Sequence, residues 1–404
     1  MFSISLTRLQ DITIKVFISI CVILPTGSLF GINVKFLSLF IVLVLALLSK
    51  NGRGFVSLFR GLFLPVLVLL IFLLITIANG RYINETNGQA QDILVFFIIA
   101  TLGYSLIEKE NRVSLITKTI VNCLVFLGFC KLLILGYSVV SGLGVSSVVR
   151  AISAFFDTSL MIMESDEVSI SRITFMSDYL LPIAMFLKTK EYISRKTGVL
   201  DTIILFLLMY SILVSMSRFL WIISLASFII AIVGDLKKRK SILIFVAMTS
   251  IAFFLISLPS VQEIFEFRLA SNGVIVSDSL REVQKSAIVS AFNNAPFFGN
   301  GIGYFTPRLI RSDVARYSYE LQIQALYMQM GVVGATSLLL IIIGTLLSQV
   351  KGLTIKEFFT FALLITMWIS GGFFNPVIIS STGGVAFLFL FTIPDAMKML
   401  RNKT

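Results

Sequence analysis

The chain has 404 residues, of which 57% are apolar and only 13% charged, with a formal charge of +12 and no histidine. Ordinary soluble domains carry about a quarter charged residues, so this composition excludes one. The missing histidine also excludes a His-based zinc site or a histidine general base.

The apolar residues fall in long runs. Arg60 and Arg81 enclose twenty residues without a charge, enough to cross a bilayer core as a helix. Comparable runs along the whole chain predict an all-α polytopic membrane protein with about twelve spans in one integral membrane domain, 1–404. In chain order the predicted windows are 14–31, 34–49, 61–79, 92–107, 119–140, 173–187, 199–216, 218–234, 241–258, 320–348, 357–371 and 376–394. The first run lacks a small-residue cleavage site and is expected to stay as a span. Cys21, Cys123 and Cys130 lie in apolar segments and read as buried small hydrophobes without a disulfide or metal spacing.

Basic residues set the expected orientation. With the N-terminus cytoplasmic, that side collects 21 lysines and arginines, from Arg8 and Lys15 to Arg401 and Lys403. Short loops on the far side hold three: Lys35, Arg81 and Arg218. Both termini are therefore expected inside, and the net charge reads as a topology signal rather than a nucleic-acid footprint. LKKRK at 236–240 reads the same way.

Two long outer segments interrupt the pattern, 141–172 and 259–319. Long loops between packed elements are usually functional. The second contains Arg268, Arg281, Lys285, Arg308, Arg311 and Arg316. Within it Leu280, Val283, Ala287, Ile288, Ala291 and Phe292 recur at helical spacing, predicting an amphipathic surface helix between turns at Ser271-Asn272-Gly273 and Asn294-Ala295-Pro296. Arginine forks match phosphate oxygens, although interfacial arginines also snorkel to lipid headgroups.

Arg218 follows Ser217 at the outer start of a span, on the side expected to be poor in positive charge. It can bind an anion or pair with a carboxylate such as Asp178 or Glu320. FFGNGIGYF sets Gly299, Gly301 and Gly303 between aromatics; a surface turn and a close backbone approach explain them equally well. Glu320 opens the tenth span, and Gln324, Tyr327 and Gly331 follow near one helix face. A carboxylate there serves either the helix dipole or, if desolvated, general-base chemistry. Tyr304, Phe305, Tyr317 and Tyr319 read chiefly as an interfacial belt, with stacking on sugar faces as the alternative. Lys131, mid-span in LGFCKLLILG, reads as functional or as paired to a neighbouring helix.

The order of spans, Ser-Arg at a span start, an arginine-bearing late outer loop ending in PFFGNGIGYF, and a polar helix closing in MGVVG together resemble the O-antigen polymerase and ligase superfamily. Its members are membrane glycosyltransferases, of GT-C-like architecture, that act on undecaprenyl-diphosphate-linked sugars at the periplasmic face. At residue level the resemblance rests on 217–218 and 268–334. It implies diphosphate-binding roles for Arg218 and Arg281, and for Arg268 by a weaker match. Ligases of this superfamily carry a histidine at the start of the last outer loop's helix, followed after ten residues by glycine. Glu320 and Gly331 stand there in this chain, which favours the polymerase (Wzy-type) branch and makes Glu320 the implied catalytic base. Arg308, Arg311, Arg316, Tyr319 and Gln324 are candidate substrate contacts.

The implied function is extension of lipid-linked repeats in O-antigen and lipopolysaccharide biosynthesis, at the inner membrane. No cofactor or metal is expected, since nothing resembles the Asp-x-Asp of nucleotide-sugar enzymes. Partners implied are undecaprenyl-diphosphate-linked glycans, membrane lipids, a flippase and a chain-length regulator, and no nucleic acid. A ligase-like transferase and a transporter of lipid-linked sugars are the alternatives; the absence of an evident internal repeat weighs against the transporter.

Overall fold

The computed structural model describes residues 6–24, 27–30, 32–48, 53–81, 83–107, 109–156, 173–236, 238–257, 272–307, 309–310 and 315–402. The described chain is almost entirely helical. Its first part is α1 (Leu6–Ile23), a short antiparallel pair (β1 Ser28–Leu29, β2 Ile32–Asn33), α2 (Val34–Leu48), α3 (Arg53–Ala78), α4 (Asn84–Leu106), α5 (Lys109–Ser141) and α6 (Val145–Phe156). A 3-10 turn at Met176–Leu180 then leads into α7 (Leu181–Ser194), α8 (Val199–Val214), α9 (Arg218–Val233) and α10 (Arg239–Ser257). The last helices are α11 (Asn272–Asn294), α12 (Gln322–Leu347), α13 (Ile355–Ser370) and α14 (Ser381–Arg401).

Five helical segments are long and apolar enough to cross a membrane: Arg53–Ala78, Asn111–Ser141, Gln322–Leu347, Ile355–Phe373 and Ser381–Arg401. Around them the bundle turns large apolar side chains outward; Phe40, Phe59 and Leu74 are each about two-thirds exposed. Water would penalise such a surface and lipid would not. The chain is an α-helical membrane protein.

Each of the twelve predicted windows overlaps a helix, with shifts that have local causes. The first helix ends at Ile23 rather than near 31, because Pro25 cannot donate the next backbone hydrogen bond and disfavours helix in the residue before it. The sixth begins at Leu181, with Pro182 in the first turn where its missing N–H costs nothing. The outer segment 141–172 contains the helix α6, which turns Val145, Val148 and Val149 inward. The sequence predicts a loop over that stretch; residues 157–172 lie outside the described residues.

α14 is the centre of the bundle, buried from Thr382 to Pro394 and packed against α4, α5 and α7. The ends of neighbouring helices alternate. Lys35, at the start of α2, donates to Ser381 Oγ at the start of α14 (2.8 Å), so it is a buried side chain rather than the loop residue expected. At the opposite end Arg401, closing α14, meets Glu357 at the start of α13 (2.6 Å).

Two apolar cores form among the described residues. The main one runs through the bundle and includes Ile323, Leu326 and Met330 of α12. A smaller one joins α11 to the same helix through Ile288, Ala291, Tyr319, Leu321, Ala325 and Met328. α11 takes in Asn272 and Gly273 of the predicted first turn and ends at Asn294, where the second was expected. Of its predicted apolar residues Ile288 and Ala291 are buried, whereas Leu280 and Val283 are exposed.

Candidate functional site

Near Glu320 the chain brings together α9, α11 and the start of α12. Ser217 caps α9, its hydroxyl accepting from Leu220 N–H at 3.4 Å. Arg218 thus takes the first helical position. A cation there opposes the positive end of the helix dipole, so helix stability does not explain it. The turn before it is tied down: Thr174 Oγ1 donates to Ser215 O (2.8 Å), Ile173 N–H donates to Val214 O (3.3 Å), and Met216 adopts a left-handed φ of 46°.

Arg218 reaches across to α11. Its Nη2 is 3.2 Å from Asp278 Oδ1, and Arg281 Nη1, one turn further along α11, lies 3.4 Å from the same oxygen. Arg281 also donates from Nε to Glu320 Oε2 at 3.1 Å. The result is one line of alternating charge, Arg218–Asp278–Arg281–Glu320, with side-chain exposures of 32%, 56%, 30% and 22%. Three residues singled out from sequence are therefore brought together. Asp278 was missed; its spacing of three residues from Arg281 on a helical pattern was the signal that could have found it.

Other expectations are corrected. Glu320 does not lie on the face of a helix with Gln324, Tyr327 and Gly331, because α12 starts only at Gln322. Arg218 pairs with neither Asp178 nor Glu320. Asp178 instead holds Lys131, both its oxygens 2.8 Å from Nζ, with Ser211 O accepting a further bond at 3.2 Å. The pair is 0% and 1% exposed, which answers the question Lys131 posed: its partner comes from the turn preceding α7.

Two of the tyrosines are held by internal hydrogen bonds. Tyr319 is 1% exposed, its hydroxyl accepts from Thr306 N–H at 2.8 Å, and it lines a small cavity beside Gln322. Tyr317 donates to Asp92 Oδ2 at 2.7 Å. Burial, then the charge and hydrogen bond of Asp92, push the Tyr317 hydroxyl above its ordinary range. Arg316 pairs loosely with Glu85 (3.8 Å) and lies over the Phe305 ring, away from Glu320's own bonds. Arg268, Arg308 and Arg311 lie outside the described residues. Gln324 Oε1 is buried with no hydrogen-bond partner among the described residues, an acceptor left open two positions into α12.

The glycine motif builds the wall behind the site. Gly331 breaks α12, with φ 64° and ψ −175°. The backbone groups released there are met by the segment 296–301: Asn300 N–H donates to Met328 O and Gly301 N–H to Gln329 O, both at 2.9 Å. In return Val332 N–H donates to Pro296 O (2.8 Å) and Val333 N–H to Phe297 O (3.1 Å). Gly299, also left-handed at φ 75°, lies so close that a β-carbon on it would strike the Gln329 carbonyl. Close backbone approach, not a surface turn, is the reason for these glycines. Gln89 of α4 bonds Gln329, and Thr86 donates to Ile302 O (2.8 Å), so the motif is anchored to the bundle.

Two openings are lined by sequence neighbours of the charged residues, Tyr319 in one and Ser279 and Glu282 in the other. A cavity of about 70 Å³ is lined by Gln89, Asp92, Tyr317, Gln322, Gln329 and Ser380. An open groove of about 920 Å³ follows α11, lined by Ser279, Glu282, Ser286, Ser290, Asn294 and Tyr304 among others. The groove mixes hydroxyls, an amide and an aromatic ring with the apolar side chains of Val283, Ala287, Ala291 and Leu309.

Chemically, two guanidiniums converging on one carboxylate oxygen can grip a phosphate-type anion, and the neighbouring carboxylate can take a proton from a hydroxyl. No protein-family model matches this chain, and no curated protein matches it.

Proposed function

We propose that the chain is an inner-membrane glycosyltransferase that polymerises undecaprenyl-diphosphate-linked oligosaccharide repeats into O-antigen or a related surface polysaccharide. In this reading it has about twelve spans of GT-C-like arrangement, both termini in the cytoplasm and the Glu320 end facing the periplasm. The observation that carries it is the convergence of Arg218 and Arg281 on Asp278 Oδ1, at 3.2 and 3.4 Å, with Arg281 also bonded to Glu320.

A sugar hydroxyl of one lipid-linked unit attacks the anomeric carbon of a chain on a second carrier. The new carbon–oxygen bond forms as the bond to the diphosphate breaks, and the leaving diphosphate keeps the electron pair. Glu320 takes the hydroxyl proton. Arg218 and Arg281 stabilise the charge growing on the diphosphate by taking it in the place that Asp278 fills in the resting line. Arg268 remains a proposed contributor to the same anion site, and Arg308, Arg311 and Arg316 remain proposed substrate contacts. Gln324 Oε1 offers an open acceptor for a sugar hydroxyl, and the groove beside α11 offers the glycan a path.

The test is deletion of the gene followed by electrophoresis of surface polysaccharide. Loss of the long ladder, with a single repeat still on the core, is expected. An unchanged ladder would reject chain extension. Repeats trapped on the lipid inside the cell would point to a transporter, and free lipid-linked polymer to a ligase.

A further inference from the structure

The far end of the bundle holds a second cluster of charge, unrelated to Glu320. α9 separates the two: Arg218 opens it, and Gly234 follows its last residue, about 24 Å away along a helix of this length. Around Gly234 four elements converge. Lys190 of α7 contacts Asp235 Oδ2 at 2.7 Å, and Lys238 contacts Asp235 Oδ1 at 3.2 Å. Lys356, in the first turn of α13, donates to Gly234 O at 2.5 Å. Arg401 of α14 bonds Glu357 and, at 3.1 Å, Gly352 O. These residues line a pocket of about 170 Å³ together with the hydroxyls of Ser194, Thr354 and Thr360.

The pocket wall has four cations against two carboxylates, Asp235 and Glu357. Simple mutual neutralisation of surface charge would need no such excess and no cavity. Two of the cations spend bonds on backbone carbonyls, a neutral acceptor that an anion would outcompete. Lys238 and Arg401 are 34% and 41% exposed, so a ligand can reach them. The electropositive setting is felt by Asp235: burial alone would raise its carboxyl, but the hydrogen bonds and charges of Lys190 and Lys238 outweigh that and hold it below its ordinary value. Three lysines, an arginine and three hydroxyls around a cavity of this size suit a tetrahedral oxyanion with several acceptor oxygens.

We propose that the pocket between Lys190, Lys238, Lys356 and Arg401 binds a phosphate group. Basic pockets between membrane helices on the cytoplasmic side take phosphate from anionic lipid headgroups, and a soluble phosphate offers the same chemistry. The proposal is independent of any glycosyl transfer at the other end.

The experiment compares wild type, Lys238→Gln/Lys356→Gln and the exposed-surface control Lys15→Gln/Lys118→Gln. Each is reconstituted in nanodiscs containing phosphatidylglycerol, and lipid retention is read by native mass spectrometry. Inorganic phosphate is titrated separately in detergent by thermal shift. Saturable phosphatidylglycerol retention, weakened roughly tenfold or more in the pocket variant and unchanged in the control, supports the site with a lipid source. A phosphate-induced thermal shift lost only in the pocket variant, without lipid retention, supports it with a soluble source. Equal weakening in both variants, or no binding of either probe to wild type, overturns it. Should the double variant fail to fold, Lys356→Gln alone, whose bond to Gly234 goes to a carbonyl, is read against the same criteria.

Discussion

Arg281 donates its Nε hydrogen to Glu320 at 3.1 Å across 39 positions of chain. The cation assigned to the leaving group and the base assigned to the attacking hydroxyl therefore share a hydrogen bond at rest. A substrate entering between them is placed against both.

For Glu320→Gln the expectation is loss of chain extension by about 100-fold or more, the scale of a lost general base. Expression and membrane insertion should be intact, since the amide keeps the shape of the side chain. The readout is ladder length in a deletion strain carrying the variant. Near-normal ladders would remove the base assignment.

Arg281→Lys tests the fork. A lysine keeps the charge but cannot hold Asp278 and Glu320 from one rigid plane. Extension should fall roughly tenfold or more, while Lys118→Arg, at an exposed position of α5, leaves it unchanged. Equal tolerance at the two positions would leave no case for a diphosphate clamp.

The helix break makes a stability prediction. Gly331→Ala forces a β-carbon onto a left-handed residue packed against the Phe297 carbonyl, a cost of about 1–3 kcal/mol. Gly344→Ala, in the same helix with nothing within 4 Å of the new carbon, should be neutral or mildly stabilising. Melting in detergent should separate the two; similar melting points would mean that the crossing of 296–301 with 328–333 contributes little.

Lys131→Met removes the buried cation that faces the Asp178 carboxylate, expected to destabilise by about 3–5 kcal/mol. The double variant Lys131→Met/Asp178→Leu should recover much of that loss. If the double is as unstable as the single, the bonds of Asp178 to the turn at Phe175 matter more than the charge pair.

Acid titration follows from Asp235. Its folded value lies below the ordinary 3.8, so its contribution is fully present above about that pH and is lost as pH falls through the folded value. Relative to wild type, Asp235→Asn should lose stability at neutral pH and converge with it in strong acid. A constant difference between the two melting curves would deny the linkage.

The helices were legible because long charge-free runs such as that between Arg60 and Arg81 have one stable fate in lipid. The end of α11 was legible from the turn at Asn294-Ala295-Pro296, whereas its start runs through Asn272 and Gly273, where a turn is predicted. The pairings were not: Arg218 meets Asp278 sixty positions away, and nothing in periodicity reports which of several carboxylates a cation will find. The same holds for Lys131 and Asp178. Gly331 read as one more residue on a helix face, since an isolated glycine carries no mark of the segment that will lie against it. The bond between Tyr319 and Thr306 is likewise visible only once the loop is folded.

The first three turns of α12 separate two interiors. Ile323, Leu326 and Met330 fill one, while Leu321, Ala325 and Met328 fill the other. Arg218 rides on the first through Phe228, Ala231 and Ile232 of its helix, and Arg281 on the second through Ile288 and Ala291 of its own. The two guanidiniums that meet on Asp278 Oδ1 are thus carried by helices seated in different apolar cores, and α12 contributes side chains to both.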